Sequence, residues 1–397
     1  MARINRKAMA LIIVLFSVAL FTGGVFIYGL FFIGLFLIMT AYASGRSTYG
    51  NLVNLVWKSS NTAVTGDRIK LNMDLYNSGY MPIPYLRVTA NLPRRLVGED
   101  QKQKIYSLMP GIKATLSRDF ECRHKGIYKI GRVETEFGDI LGLFRWKKVF
   151  DEEIYLSVYP RVHTLKYLDI PLRQQFGTVA VKHNAYEDYA STRDIRKYAT
   201  GDSFKKMHWK VTAHRGDFFV RNVELNASAD LNVFLDLYDY GFLEELAFDL
   251  EEKGAECAVS IIRYALSQSM SVNFIAKGDK PVTLSAKKVD RFGQFLDAIS
   301  KLTAKGNIPI ADLVRREARK LDWDATVVVI TPSVDKASAE TFLSLRASGL
   351  EFVLVYLSKD PEEKNENVEM LKHNDFKVFS IGLKDDVKQA LGGHYER

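Results

Sequence analysis

The sequence predicts an N-terminal transmembrane helical hairpin, then a β-sandwich of immunoglobulin-like type, then an α/β doubly wound domain. Three observations carry this. Residues 8–45 contain no charged side chain, short alternating apolar segments recur between residues 47 and 160, and compact apolar runs alternate with long amphipathic stretches after residue 230. At 397 residues, with 47% hydrophobic and 26% charged side chains, the chain is long enough for two or three domains with buried cores.

The uncharged stretch has 38 positions. As one helix it would run about 57 Å against a hydrocarbon core of roughly 30 Å. Gly23-Gly24 near its middle can open a tight turn, so two spans fit, about 8–22 and 25–43, within a hairpin segment 1–46. Arg3, Arg6 and Lys7 precede the hairpin and Arg46 follows it, while the turn is uncharged. Positive residues favour the inner side, which places both ends, and the body that follows, in the cytoplasm of a cell-membrane protein with two spans. A cleaved signal peptide, with Ala41-Tyr42-Ala43 as a mimic of its cleavage site, competes with this but requires a far shorter apolar region. A single tilted span with an external body is the other alternative.

Between residues 47 and 160, Ile69, Leu71, Met73 and Leu75 alternate with polar side chains, and Asn77-Ser78-Gly79 supplies turn chemistry. The alternation recurs at Leu86, Val88, Ala90 and Leu92, at Ala114, Leu116 and Phe120, and at Ile154, Leu156 and Val158. Short strands with no helix between them predict a sandwich. Residues 161–229 form a less patterned connector.

From residue 230 to the C-terminus, buried strands are expected at Leu231–Leu237, Val272–Ala276, Thr326–Ile330, Phe352–Leu357 and Phe376–Ile381. Helices are expected at about Phe242–Gln268, Val289–Leu302, Ala311–Leu321 and Lys336–Ala347. That alternation implies a mainly parallel sheet with helices on both faces.

The net charge of +8, from 55 Lys and Arg against 47 Asp and Glu, suits an anionic membrane surface or an acidic partner, and does not by itself exclude nucleic acid. The two cysteines, Cys122 and Cys257, fall in different expected domains, so no disulfide framework is expected and both read as core thiols. No phosphate-binding Gly-rich loop, nucleophile elbow or H-E-x-x-H helix occurs.

Two segments resemble a known family. His124-Lys125-Gly126-Ile127-Tyr128-Lys129-Ile130-Gly131, Gly138-Asp139-Ile140-Leu141-Gly142-Leu143-Phe144 and Val158-Tyr159-Pro160-Arg161 are similar to the stretch before the signature of the bacterial domain of unknown function 58 family. The signature itself resembles Gly201-Asp202-Ser203-Phe204-Lys205-Lys206-Met207-His208-Trp209-Lys210, continuing through Thr212-Ala213 to Arg221. Lys205 stands where the family commonly has arginine, and His214-Arg215 replaces a common Ala-Arg continuation. The resemblance implies a membrane-bound protein whose last domain is von Willebrand factor A-like. It also implies genetic company with a MoxR-type AAA+ ATPase and a transglutaminase-like membrane protein, which become expected partners beside membrane lipid.

The von Willebrand factor A comparison implies a magnesium site built on Asp-x-Ser-x-Ser, and here the first strand ends Asp236-Leu237-Tyr238-Asp239-Tyr240. Tyrosines cannot replace small hydroxyls around an ion that requires octahedral oxygens at about 2.1 Å, so at most a degenerate site is expected, at Asp236, Asp239, Thr331 and Ser333. The competing reading is a solvated loop edge.

In the signature, Asp202 is placed to cap a helix carrying Phe204, Met207 and Val211 on one face, with Gly216 closing it. Trp209 is expected as a domain-packing aromatic rather than a stacking platform. His208 and His214 are six apart and do not align for zinc. From Arg193 to Arg221 there are eight Lys or Arg against three Asp. This basic segment is either a solvated face or a docking surface, with Gly201, Asp202, Lys205, Lys206, His208, Trp209, Lys210, Arg215 and Arg221 as the docking set.

The preferred function on these grounds is a membrane-anchored, non-enzymatic adaptor with no catalytic residues and no required cofactor. The alternatives are a cation-dependent enzyme at the membrane using Asp202, His208 and Asp236, and nucleic-acid binding. The last is disfavoured, since only Tyr198, Phe204 and Trp209 interleave the basic residues.

Overall fold

The structure is a computed structural model that describes residues 2–4, 6–58, 60–98, 104–139, 141–168, 170, 192–197, 207, 209–223, 230–321, 325–359 and 365–392. It divides into two compact units. One comprises Met1–His163, Tyr240–Val259 and Gln294–Ala304, the other Thr164–Asp239, Ser260–Gly293 and Lys305–Arg397.

In chain order, a short strand β1 (Ala2–Ile4) leads to helices α1 (Arg6–Thr22) and α2 (Val25–Asn51). Strands β2 (Leu52–Lys58), β3 (Thr62–Val64), β4 (Arg68–Asn77) and β5 (Ile83–Ala90) follow, then a helical turn α3 (Arg94–Val97). After it come β6 (Lys104–Leu108), β7 (Lys113–Glu121), β8 (Gly126–Lys129), β9 (Arg132–Gly138), β10 (Phe144–Asp151) and β11 (Tyr155–Tyr159). The ribbon strands β12 (Thr192–Lys197) and β13 (Phe219–Val223) flank helix α4 (Trp209–Arg215). The last region holds β14 (Asp230–Leu235), α5 (Glu244–Ser267), β15 (Ser271–Lys277), β16 (Pro281–Ala286), α6 (Phe292–Lys301), α7 (Ile310–Ala318) and β17 (Thr326–Thr331). It ends with α8 (Lys336–Ala347), β18 (Glu351–Ser358), α9 (Glu366–His373), β19 (Lys377–Gly382) and α10 (Val387–Gly392).

In the first unit, α2 is long and apolar enough to cross a membrane, and α1 contributes a shorter apolar stretch, Ile12–Thr22. Gly23, at φ +62°, turns the chain between them, a conformation that costs a residue with a Cβ but not glycine. Side chains of the two helices meet, with the Phe16 and Phe31 rings 4.9 Å apart. Helix α2 runs past the expected end at residue 43 because its last turns pack on β10. Tyr42 contacts Phe144 and Trp146, and Tyr49 contacts Trp146. A Cβ at Gly45 would lie 2.1 Å from the indole nitrogen of Trp146, so only glycine lets the helix approach that closely. The Lys148 ammonium donates to the Tyr49 and Leu52 carbonyls, at 2.8 and 2.7 Å, where the helix end leaves acceptors unpaired.

Three sheets, β1-β10-β9-β5-β6, β2-β4-β7 and β3-β11-β8, share one hydrophobic core. The alternation read from the sequence sets it: Leu71, Met73 and Leu75 on β4, Leu86, Val88 and Ala90 on β5, and Leu156 and Val158 on β11 are buried.

The same unit takes in the start of α5 through a buried charge cluster. Lys125, 0% exposed, donates through Nζ to Glu251 Oε1 and the Leu302 carbonyl, both at 2.6 Å. Arg95 also binds Glu251 Oε1, and the Ala304 N–H reaches Glu251 Oε2 at 2.9 Å. Burial alone would push the Glu251 carboxyl up, but Lys125 and Arg95 outweigh it and hold it below the usual carboxylate range. Its neighbour Glu252 accepts from the Lys125 N–H and the Thr65 hydroxyl, each at 2.6 Å, yet burial keeps its carboxyl above the usual range. His124 bridges the Arg95 carbonyl and Asp249, both at 2.8 Å.

The second unit carries a six-stranded sheet in the order β16-β15-β14-β17-β18-β19. Five strands are parallel and β16 is antiparallel at one edge. Every residue of β17 is buried, so both faces are covered, as the unbroken apolar run Val327–Ile330 requires. The expected strands and helices after residue 230 are present with small shifts at their ends. Three elements were not anticipated: β16, a half-exposed edge strand opened by Pro281, and the short helices α9 and α10.

Two outcomes follow. Lys125→Met leaves the Glu251 carboxylate buried with one partner fewer, and should cost about 3–5 kcal/mol in denaturant unfolding of the full chain in detergent. A loss within about 0.5 kcal/mol, the scale of a neutral surface substitution, would show the cluster to be idle. Burial, with Asp67 and Glu121 adding to it, pushes the Cys122 thiol up to about 11, and burial pushes Cys257 up to about 12. Both groups are therefore thiols at neutral pH, and a thiol-specific dye should label the native protein only after denaturation. Rapid labelling of the folded chain at pH 8 would contradict this.

Candidate functional site

Strands β14 and β17 are parallel neighbours, with Leu235 opposite Ile330, and their carboxyl ends bring Asp236 and Thr331 together. The Thr331 hydroxyl donates to Asp236 Oδ2 at 2.6 Å, and the Tyr238 N–H donates to Oδ1 at 3.0 Å. Ser333 closes a local turn, its N–H donating to the Thr331 hydroxyl at 3.2 Å. Asp239 is held by its backbone, the N–H donating to the Gly306 carbonyl at 3.0 Å. Gly306 permits that approach, because a Cβ there would lie 2.2 Å from the Lys277 carbonyl oxygen.

This is the switch point of the sheet, where β14 has β15 on one side and β17 on the other, and open α/β sheets bind ligands at such crevices. Of the four residues expected here, Asp236, Thr331 and Ser333 are contiguous. The donor set does not fit magnesium. Tyr238 and Tyr240 occupy the positions of the two small hydroxyls, and a bulky phenol cannot replace them around an octahedral ion. Among the described residues, no three His, Cys, Asp or Glu side chains are grouped to hold a metal ion. What the arrangement does chemically is lock two strand ends together with a charge-assisted hydrogen bond.

Of the signature set, Gly201, Asp202, Lys205, Lys206 and His208 lie outside the described residues, as does the proposed Asp202 cap. The described part is a ribbon, with β12 antiparallel to β13, joined through α4. Arg221 is opposite Ile195 in that ribbon, and Lys210 lies in α4. Gly216, at φ +74°, ends α4 and its N–H donates to the Thr212 carbonyl at 3.0 Å, the closing role expected of it. The Thr212 hydroxyl accepts from the Phe219 N–H at 3.0 Å and fastens the helix to β13.

Trp209 differs from expectation. Expected to pack between domains, it is 63% exposed, while Met207 and Phe219 take the buried positions. The Arg215 guanidinium sits 5.7 Å from the Phe219 ring centroid, a cation–π distance. Lys197 pairs with Asp217 at 2.5 Å, both largely exposed, so the pair contributes little stability.

Sequence reasoning gave no site role to Lys125, Arg95 or Glu251. The available signal was the adjacent pair Glu251-Glu252 at positions of α5 flanked by Leu250 and Ala255, all of them buried. Two neighbouring carboxylates on a covered stretch require cations or donors from elsewhere.

Comparison with known proteins bears on the same segment. Residues 194–280 match the family described as "Protein of unknown function DUF58". The uncharacterized protein YeaD of Bacillus subtilis is 23% identical over 304 residues, covering 75% of this chain and 73% of that protein. Among solved structures, the CARDB domain of a Pyrococcus furiosus protein, crystallised with di-metal ions, covers 27% of this chain and 86% of its own, at 15% identity and a TM-score of 0.20. The sporulation control protein Spo0M of Bacillus subtilis covers 28% of this chain and 49% of its own, at 11% identity and a TM-score of 0.17. Residues 194–280, which begin in the ribbon and run through β15, thus carry a match to the DUF58 family, and the Bacillus relative is similar over three quarters of this chain.

Proposed function

We propose that this protein is a membrane-anchored, non-enzymatic adaptor. Helices α1 and α2 form a two-span hairpin in the cell membrane, and the immunoglobulin-like sandwich and the von Willebrand factor A-like domain lie in the cytoplasm. The basic signature segment and the last domain are presented to a protein partner, a MoxR-type AAA+ ATPase on the strength of the family resemblance, with a transglutaminase-like membrane protein as a second candidate.

The observation that carries the docking role is the exposure of Trp209 at the start of α4, a helix whose other end carries Arg215. Tryptophan and arginine are the side chains that most often dominate binding energy at interfaces, and an indole left mostly in water is costly unless something covers it. The excess of five positive charges between Arg193 and Arg221, eight Lys or Arg less three Asp, favours an acidic partner surface. The self-satisfied Asp236 and Thr331 pair supports a structural rather than a catalytic crevice.

The hairpin is supported by β10. Strand β1, ahead of α1, pairs with β10, and the last turns of α2 pack on it, so the apolar segment leaves the first unit and returns to the same strand. The sheet order, with one antiparallel edge strand, supports the von Willebrand factor A-like reading.

Two measurements test this. With the full chain in nanodiscs and a purified MoxR-type ATPase, reversing Lys205, Lys206, Lys210 and Arg215 to Glu should weaken binding at least about tenfold, or 1.4 kcal/mol. Equal affinity of the variant, or no binding by the parent, sinks the docking role. A protease added to intact cells should spare the body and digest it in inverted vesicles; the reverse pattern would place the body outside.

A further inference from the structure

The strand registers place three turns at the end of the first unit from which the apolar helices depart. Ile4 of β1 lies opposite Phe144, and Arg6 begins α1 at once, so α1 leaves where β10 starts. Arg145 is opposite Gly138, the last residue of β9; Phe137 is opposite Leu86 near the start of β5; and Ile83 is opposite Leu108, the last residue of β6. The connections from β4 to β5, from β6 to β7 and from β9 to β10 therefore all lie at that one end.

Ser, Gly, Pro and Asp shape these turns, as in other turns, but the side chains they hold outward are apolar or aromatic. Ser78-Gly79-Tyr80-Met81-Pro82 and Met109-Pro110-Gly111-Ile112 contain no charged residue. Tyr80 is 94% exposed, Met109 58% and Ile112 54%, and Leu141 in the third turn is 47% exposed. They are held firmly. The fully buried Asn77 donates through Nδ2 to the Met81 and Leu108 carbonyls, at 2.9 and 3.4 Å, and its own carbonyl accepts from the Gly111 N–H at 2.8 Å. One side chain thus ties the first two turns together. In the third, Asp139 turns its carboxylate onto the chain, accepting from the Phe144 N–H at 2.6 Å and the Leu141 N–H at 3.0 Å. That spends its charge on the turn and leaves the leucine outermost.

The geometry points to a bilayer-docking surface: the turns bearing Tyr80, Met81, Met109, Ile112 and Leu141 seat this end of the unit in the interfacial layer of the membrane that α1 and α2 enter. The occupant is lipid because the apolar helices leave through this same end, so whatever surrounds the first turns of α1 and the part of α2 just before Tyr42 also meets the three turns. Tyrosine suits the headgroup level, and short aliphatic and thioether side chains suit the acyl boundary just below it. Seating at several points around the helices would fix the tilt of the body against the membrane, which a flexible tether would not. The inference rests on the reading of α1 and α2 as membrane helices.

The test uses the full chain reconstituted in phosphatidylcholine and phosphatidylglycerol vesicles, carrying an environment-sensitive fluorophore on single introduced cysteines. The buried native thiols are retained, and the parent protein serves as the labelling blank. Positions are Tyr80→Cys, Met109→Cys and Leu141→Cys in the turns, Phe32→Cys on the exposed face of α2, and Glu153→Cys beyond the far end of β10. Nitroxide-bearing lipids should quench Phe32→Cys and the three turn positions several-fold more than Glu153→Cys. Turn positions quenched no more than Glu153→Cys, while Phe32→Cys is quenched, would overturn lipid docking and leave the anchor standing. Turn positions that neither lipid nitroxide nor aqueous iodide reaches would assign the patch to a protein and likewise overturn it. Failure to quench Phe32→Cys would remove the membrane reading and this inference with it.

Discussion

A lysine with no exposure to water must have its charge solvated by the protein, and Lys125 is solvated by the Glu251 carboxylate and the Leu302 carbonyl. The arrangement of the first unit depends on that requirement. Glu251 also binds Arg95 and the Ala304 N–H, so one carboxylate gathers chain segments from α3, from the loop before β8, from α5 and from the residues after α6. Glu252, one residue on, fastens the Lys125 N–H and Thr65 to the same helix. Breaking a pair of this kind leaves an uncompensated buried charge, which is why such clusters fix one arrangement even where their net contribution to stability is small. This explains why Tyr240–Val259 and Gln294–Ala304, distant in sequence, belong to the unit of the strands.

The family segments divide along the same physical lines. The run from His124 to Gly131 supplies the buried cation and its neighbours, and Gly138 to Phe144 builds a turn around the inward carboxylate of Asp139. Both are structural requirements met by polar groups. The signature segment differs: its described part leaves an indole in water beside basic residues on a ribbon and short helix fastened by backbone and threonine hydrogen bonds. Polar groups that satisfy one another stabilise a fold, whereas the exposed indole of Trp209 does not serve that purpose.

Much of this was legible in the residues. The charge-free stretch marked the helices, the alternation on β4, β5 and β11 marked the β-rich unit, and the runs at Val327–Ile330 and Phe352–Leu357 marked buried parallel strands. The candidate crevice was legible in part, since Asp236 and Thr331 end strands in any α/β reading, and the structure joins them at 2.6 Å. Trp209 shows that a bulky aromatic in the sequence does not by itself say what is covered: Met207, ahead of α4, and Phe219, on β13, take the buried positions instead. Strand β16 escaped notice because an edge strand needs only one covered side, so its apolar signal is half that of a central strand.

The sequence by itself determined the elements, because the periodicity of apolar side chains and the exclusion of charge from hydrocarbon are local properties of the chain. Only the tertiary structure decided that Lys125 meets Glu251, that Asp236 is spent on Thr331, and that turns centred on Tyr80, Met109 and Leu141 share one end of the unit. Each of these depends on strand register and on contacts between residues dozens to more than a hundred positions apart. The cost of burying an unpaired charge selects among such pairings, and nothing in the local pattern records the outcome.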